Sequence, residues 1–185
     1  MEGQGRALAG DGLQVYAVRM PAARTLLIVY HSMTDGTRQM ADAARVGALA
    51  EPGVNVRMLQ AALAGPDDVL TADAYLFATP ENLASMSGQL KDFFDRSYYA
   101  ALDRVNGRPY ASLICAGSDG RNAARQIERI ATGWRLKPVA EPLIVCTHAQ
   151  TPEAILATKL IAPDELARCQ ALGEAMAAGL ALGVF

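Results

Sequence analysis

Ser32, Thr34 and Thr37, with Gly36 just before the last of them, follow the apolar run "TLLIVY" and precede a helix-like pattern that begins "TRQMADAA". Three hydroxyls supply donors, and the glycine lets the backbone come close to whatever is bound. The helix that follows starts with unpaired N–H groups and a positive dipole end. That set suits an anion, a phosphate above all. Ser and Thr are also favoured as helix caps, so the loop alone leaves a phosphate site and an N-cap cluster level. It lacks the Lys-Ser/Thr pair of a P-loop, and no G-x-G-x-x-G follows a strand. Triphosphate hydrolysis and a dinucleotide-type Rossmann site are therefore disfavoured.

Two further stretches have the same character. "ATPENLASMSGQLKDFFDRSYY" separates an apolar run from a helical pattern by Thr79, Pro80, Glu81, Asn82, Leu83 and, before Gly88, Ser87. "CAGSDGRNAARQIERIATGW" does so with Gly117, Ser118, Asp119 and Gly120.

The elements that must carry these loops show in the apolar patterning. Strand-length runs alternate with longer stretches of helical period, the rhythm of βαβ units. The pattern predicts strands near 25–30, 54–59, 74–79, 110–116 and 142–147, and helices near 37–50, 88–104, 120–135 and 163–182. Residues 60–72 give the weakest pattern. "LLIVY", "AYLFA", "ASLICA" and "LIVC" are apolar on both faces, as strands covered by helices on two sides must be. The expectation is an α/β fold, a doubly wound five-stranded parallel sheet with helices on both faces. Ligands of such sheets settle beyond the carboxyl ends of the strands, where the strand order reverses. All three loops fall on that edge.

Composition narrows the function classes. At 185 residues the chain suits one domain; residues 25–185 are read as that domain, and the Gly-dotted residues 1–24 as a mobile or loosely docked extension. Lys+Arg 17 against Asp+Glu 19 gives a net charge of -2, and no basic or basic-aromatic run follows, so nucleic acid is disfavoured as a partner. Cys115, Cys146 and Cys169 are odd in number and lie in apolar stretches, arguing against a disulfide framework or zinc site. No metal is assigned; His148 stands without a clustered Cys or carboxylate. The C-terminal run "AMAAGLALGVF" is about half the length of a membrane span and reads as a buried or subunit-contact helix. With no secretory h-region in residues 1–24, a cytoplasmic location is expected.

A phosphate loop, a mixed apolar and amide-bearing loop and a glycine-rich loop on one sheet edge could hold a flat heterocycle carrying one phosphate, which describes FMN. The same stretches resemble the flavodoxin-like superfamily, especially its NADPH-dependent FMN reductase and WrbA-type quinone reductase branches. "YHSMTDGTRQMA" is similar to their phosphate loop, "TPENLASMSGQLKDFFDR" to their flavin-ring loop and following helix, and "GRPYASLICAGSDG" to their fourth strand and loop. The resemblance covers about residues 25 to 147. It implies strand order 2-1-3-4-5, a phosphate held by Ser32, Met33, Thr34, Asp35, Gly36 and Thr37, and a ring lined by Thr79, Pro80, Glu81, Asn82, Leu83 and Ser87 on one side and Gly117, Ser118, Asp119 and Gly120 on the other. It also implies NAD(P)H as co-substrate, a quinone, free flavin or similar small acceptor, and a homodimer or larger homo-oligomer. The flavin then carries the chemistry, and no protein residue is assigned as catalytic. A flavodoxin-type electron carrier and a non-catalytic flavodoxin-fold binding protein are the alternatives. The carrier is disfavoured because the ring loops contain no aromatic residue and the charges nearly balance.

Several residues carry plain readings. Trp134, Phe93, Phe94 and Tyr98 are expected to pack, with Tyr99 a rim contact. His31 is expected to bond to backbone, and Glu81 to be a solvated carboxylate. Asp35, in a loop meant for a dianion, is expected to turn its side chain to solvent while its N–H faces the phosphate.

Overall fold

The computed structural model describes residues 23–185. The expected N-terminal extension falls outside these residues, save for Ala23 and for Arg24, which starts the first strand. The elements run β1 (Arg24–Tyr30), α1 (Gly36–Ala48), β2 (Val54–Gln60), α2 (Pro66–Thr71), β3 (Ala74–Asn82), β4 (Ser85–Met86), α3 (Gly88–Ala101), β5 (Pro109–Ala116), α4 (Arg121–Gly133), β6 (Lys137–Pro138), β7 (Leu143–Cys146), α5 (Pro152–Leu156) and α6 (Pro163–Leu182).

Successive side chains of a strand point to opposite faces, and β1 shows why its run is apolar throughout. Leu27 and Val29 join one core layer, Leu26 and Ile28 the other, and all four are fully buried. The first layer is closed by α2, α3 and α4 through Val69, Leu90, Phe93, Phe94 and Ile127. Trp134 packs edge-on to Phe93 and Phe94 within it. The second layer is closed by α1 and α6 through Met40, Ala44, Met176 and Leu180. These two helices cross closely enough that a Cβ at Gly173 would lie 1.8 Å from the Ala44 carbonyl oxygen. The C-terminal helix is thus seated within the chain. Of the residues expected to pack, Tyr98 departs: it is 40% exposed and packs edge-on against the exposed Tyr99 near the end of α3, and neither tyrosine reaches the clefts described below.

The sheet order is β2-β1-β3-β5, with parallel pairing throughout. The fifth position is split. Lys137–Pro138 pair with Pro109–Tyr110, and Leu143–Cys146 pair with Leu113–Ala116. Four residues lie between Pro138 and Leu143, whereas two lie between their partners Tyr110 and Leu113, so the strand bulges out between them. Pro138 and Pro142 flank this break, where the missing N–H groups suit an edge. The order agrees with the expected 2-1-3-4-5. The weak region 60–72 contains the short helix α2, started by Pro66.

Candidate functional site

The loop between β1 and α1 is left chemically open. Asp35 precedes the helix in the left-handed backbone region, φ 70°, and its carboxylate caps no helix N–H. It takes Arg38 Nε at 2.5 Å and Nη2 at 2.9 Å instead, and this guanidinium holds the Asp35 carboxyl below its usual range. Among the described residues, the backbone N–H groups from Ser32 to Arg38 donate no hydrogen bond. Thr37 is 1% exposed, and its hydroxyl, beside the Cys115 thiol, makes no well-formed hydrogen bond among the described residues. A Cβ at Gly36 would lie 2.6 Å from Cys115 Sγ and 3.2 Å from Lys159 Cβ, so only glycine lets the helix start here under the strap that crosses it.

The loop expected after β3 is a tight hairpin. β3 runs on to Asn82 and pairs antiparallel with β4, Glu81 opposite Met86 and Asn82 opposite Ser85. The reversal falls on Leu83 and Ala84, at φ 50° and 57°. Non-glycine residues in this region cost roughly 1 kcal/mol each, so the turn must be held. α4 holds it: Asn122 Nδ2 donates to the Ala84 carbonyl at 2.5 Å, while Gln126 Oε1 accepts from Ser85 Oγ at 2.8 Å and Met86 N at 2.9 Å. Sequence reasoning missed both amides, although their i,i+4 spacing after a glycine-rich loop puts them on one helix face. Glu81 is half-buried, and its Oε2 accepts from Gly120 N at 2.9 Å. This corrects the expected solvated carboxylate, because the Gly120 N–H, freed by φ 79° at the start of α4, needs an acceptor.

The three loops meet on one cleft of about 600 Å³. Ser32, Met33, Thr34, Thr37, Pro80, Glu81, Asn82, Leu83, Gly117 and Ser118 line it. Thr79 and Ser87 lie behind it, fully buried; Ser87 N donates to Thr79 Oγ1 at 3.0 Å, and Ser87 Oγ caps α3 at Leu90 N, 3.3 Å. Gly36 and Gly120 are buried in the walls. Asp119 points outward, 3.3 Å from Arg121 Nε. Asp35 faces a second, polar cleft of about 530 Å³ with Arg38, His31, Gln60 and Gln89. The expected backbone bond of the His31 ring is not formed at Nδ1, which is buried without a partner, and burial lowers the imidazole pKa.

One wall of the main cleft has no counterpart among the expected site residues. The strap after β7 brings Thr147, Ala149, Ile155, Leu156 and Lys159 to it, and Cys115 contributes from β5. The Cys115 thiol is pushed up to about 11 by burial, so it is held as the neutral thiol. All three cysteines are free, and no cluster of metal-ligating side chains occurs among the described residues. No helix of these residues is long and apolar enough to cross a membrane.

Known proteins share this fold. A flavodoxin from the domain Archaea superposes with a TM-score of 0.68 at 18% identity, covering 84% of this chain and 98% of that one. A WrbA-like flavodoxin from Agrobacterium tumefaciens gives 0.66 at 18% identity, covering 86% and 98%. The sequence model of the NADPH-dependent FMN reductases matches residues 61–151. The fold is that of the flavodoxins. A flavodoxin of Aquifex aeolicus (strain VF5) is 34% identical over 51% of this chain and 51% of its own length. An NAD(P)H dehydrogenase (quinone) of Acidithiobacillus ferrooxidans is 29% identical over 39% and 46%. The matched part spans about half the length of these curated relatives. As in other flavodoxin-like sheets, the cleft lies beyond the carboxyl ends of the strands, beside β1 and β3, where the order reverses.

Proposed function

We propose that the main cleft binds FMN and that the protein is an oxidoreductase passing electrons from NAD(P)H to a quinone, free flavin or similar small acceptor. The observation that carries this reading is the open first loop. Unpaired N–H groups from Ser32 to Arg38, a buried Thr37 hydroxyl without a well-formed hydrogen bond and a Gly36 that admits no side chain form a cradle for a phosphate group. Ser32, Thr34, Gly36 and Thr37 would hold that phosphate, and the Asp35 carboxylate is kept off it by Arg38.

When bound, FMN supplies two-electron chemistry between a nicotinamide and an acceptor. The chain's own residues set its surroundings. The hairpin Pro80–Leu83 and the Gly117–Gly120 loop face each other across the cleft, and the Glu81–Gly120 bond fixes their spacing. Met33, Leu83, Ile155 and Leu156, all more than half exposed, give the mouth an apolar rim that lowers its water content. No aromatic side chain among the described residues lines the cleft, so a planar substrate finds an uncovered face. A homodimer or larger assembly belongs to the same proposal, supported by apolar side chains such as Leu182 and Val184 left exposed at the C-terminal end.

The absorbance spectrum of the purified protein tests the cofactor, and anaerobic mixing with NADPH or NADH tests the activity. Direct bleaching of the flavin band is expected. A flavin that bleaches only with a separate reductase supports the second reading, an electron carrier, which the similarity to the Aquifex flavodoxin favours.

A further inference from the structure

Charge in the main cleft is sparse. Among the described residues, Glu81 and Lys159 are the only side chains lining it that carry a full charge. Glu81 is committed to the Gly120 N–H. Lys159 forms no ion pair among the described residues; its ammonium donates to three main-chain carbonyls at the end of α5, those of Ala154 at 2.7 Å, Ile155 at 2.8 Å and Ala157 at 2.6 Å. A half-buried cation satisfied only by neutral oxygens retains its full attraction for an anion.

The backbone of Lys159 is fastened to the open loop. Its N–H donates to the Thr34 carbonyl at 2.7 Å, and its carbonyl accepts from Gln39 Nε2 at 2.6 Å. Gln39 Oε1 in turn accepts from Ile161 N at 3.2 Å. The strap is therefore tied to the first turn of α1 on both sides of Lys159, and the base of the lysine side chain lies over Gly36. Thr37, whose hydroxyl is buried without a well-formed hydrogen bond, lines the same cleft.

We propose that Lys159, delivered by the strap rather than by the loop, is the cation that neutralises a phosphate monoester bound at Ser32–Thr37, and that it makes the cleft select phosphorylated over neutral flavins. The inference rests on the flavin reading only for the identity of the monoester. The loop's own charges cannot serve, because Arg38 is forked onto Asp35 and lines the other cleft. Lys159 exchanges its α5 carbonyls for phosphate oxygens by rotation of its flexible stem, while its backbone stays fixed.

The test uses the full chain and the variants Lys159→Gln, which keeps an amide donor for α5 but no charge, and Lys159→Arg. FMN and riboflavin are titrated by fluorescence at low and high salt, and inorganic phosphate is titrated against the flavin-free protein by thermal shift. In Lys159→Gln the FMN affinity is expected to fall by about tenfold or more at low salt and by less at high salt. Riboflavin affinity should stay within about threefold, and Lys159→Arg should restore most of the FMN affinity. Equal losses for FMN and riboflavin would make Lys159 a brace of the strap and overturn the proposal. If inorganic phosphate stabilises the wild type but not Lys159→Gln while neither flavin binds, the role of Lys159 toward a bound phosphate stands, and the flavin reading falls together with the selection among flavins. FMN binding that is indifferent to Lys159 overturns the proposal and leaves the flavin reading standing, and binding of none of the three overturns both.

Discussion

Two loops on one sheet edge meet the same cleft and treat their polar groups in opposite ways. The first, Ser32–Asp35, leaves its N–H groups without partners and the following Thr37 hydroxyl without a well-formed hydrogen bond. The second, the Glu81–Ser85 hairpin, has its polar groups taken up by Gly120, Asn122 and Gln126. Unspent donors in a folded chain are costly unless water or a ligand takes them. The first loop is therefore built to meet a charged group, and the second to hold a shape. On the FMN proposal, the first would meet the phosphate and the second would face the ring.

The largest expected effect is at Gly36. Gly36→Ala puts a methyl 2.6 Å from Cys115 Sγ and should cost about 1–3 kcal/mol of stability by overpacking, with FMN affinity falling far more than riboflavin affinity. Denaturant unfolding and flavin titration check this, and adding Cys115→Ala should return much of the stability. An unperturbed Gly36→Ala would break the contrast between the loops.

Gln126→Ala comes next. It strips the acceptor from Ser85 Oγ and Met86 N and should cost about 1–3 kcal/mol. Here FMN and riboflavin should weaken together, since the wall they share is loosened and the phosphate cradle is not. Loss of FMN binding alone would show that the hairpin also serves the charged group.

At the tip of that hairpin, Ala84→Gly should stabilise by about 0.5–1 kcal/mol, because glycine adopts φ 57° without a Cβ penalty. Urea midpoints at constant m-value measure it. Asp35→Gly, at φ 70° in the open loop, should change FMN affinity by no more than a few-fold, because Arg38 already holds the carboxylate aside. A gain of about a hundredfold that fades with salt would instead place that charge against the ligand.

The smallest effect concerns His31. Burial lowers its folded pKa below the ordinary 6.5, so the unfolded chain takes up the proton first as pH falls. The unfolded state then binds more protons, and stability rises with pH through this window. Melting temperature should therefore decline as pH drops below about 6.5, and less so in His31→Gln. Identical slopes for the two proteins would remove His31 from the account.

Much of this is legible in the chain. Runs such as "TLLIVY" and "ASLICA" announce strands buried on both faces, because a doubly covered strand tolerates no polar side. Their alternation with helical patterns fixes parallel pairing and puts three polar loops on one edge. The helix expected over 163–182 matches α6 to the residue. Less legible are elements too short for periodicity: α2, α5, the two-residue β4, and the broken edge strand of β6 and β7.

Local patterning settles the fold, the sheet edge on which the three loops lie, and the hydroxyl-and-glycine character of the first loop, because these follow from short-range periodicity and from which faces must be apolar. Where Glu81 and Lys159 go is a matter of tertiary structure, whereas Asp35 pairs locally. Asp35 turns to Arg38, Glu81 to the N–H of Gly120, and Lys159 arrives from more than a hundred residues along the chain to lie over Gly36. A carboxylate or ammonium takes the nearest geometrically suited partner. For Glu81 that partner belongs to a different element, and for Lys159, whose ammonium bonds within its own strap, it is the approach to Gly36 that crosses elements, so no local pattern encodes either placement.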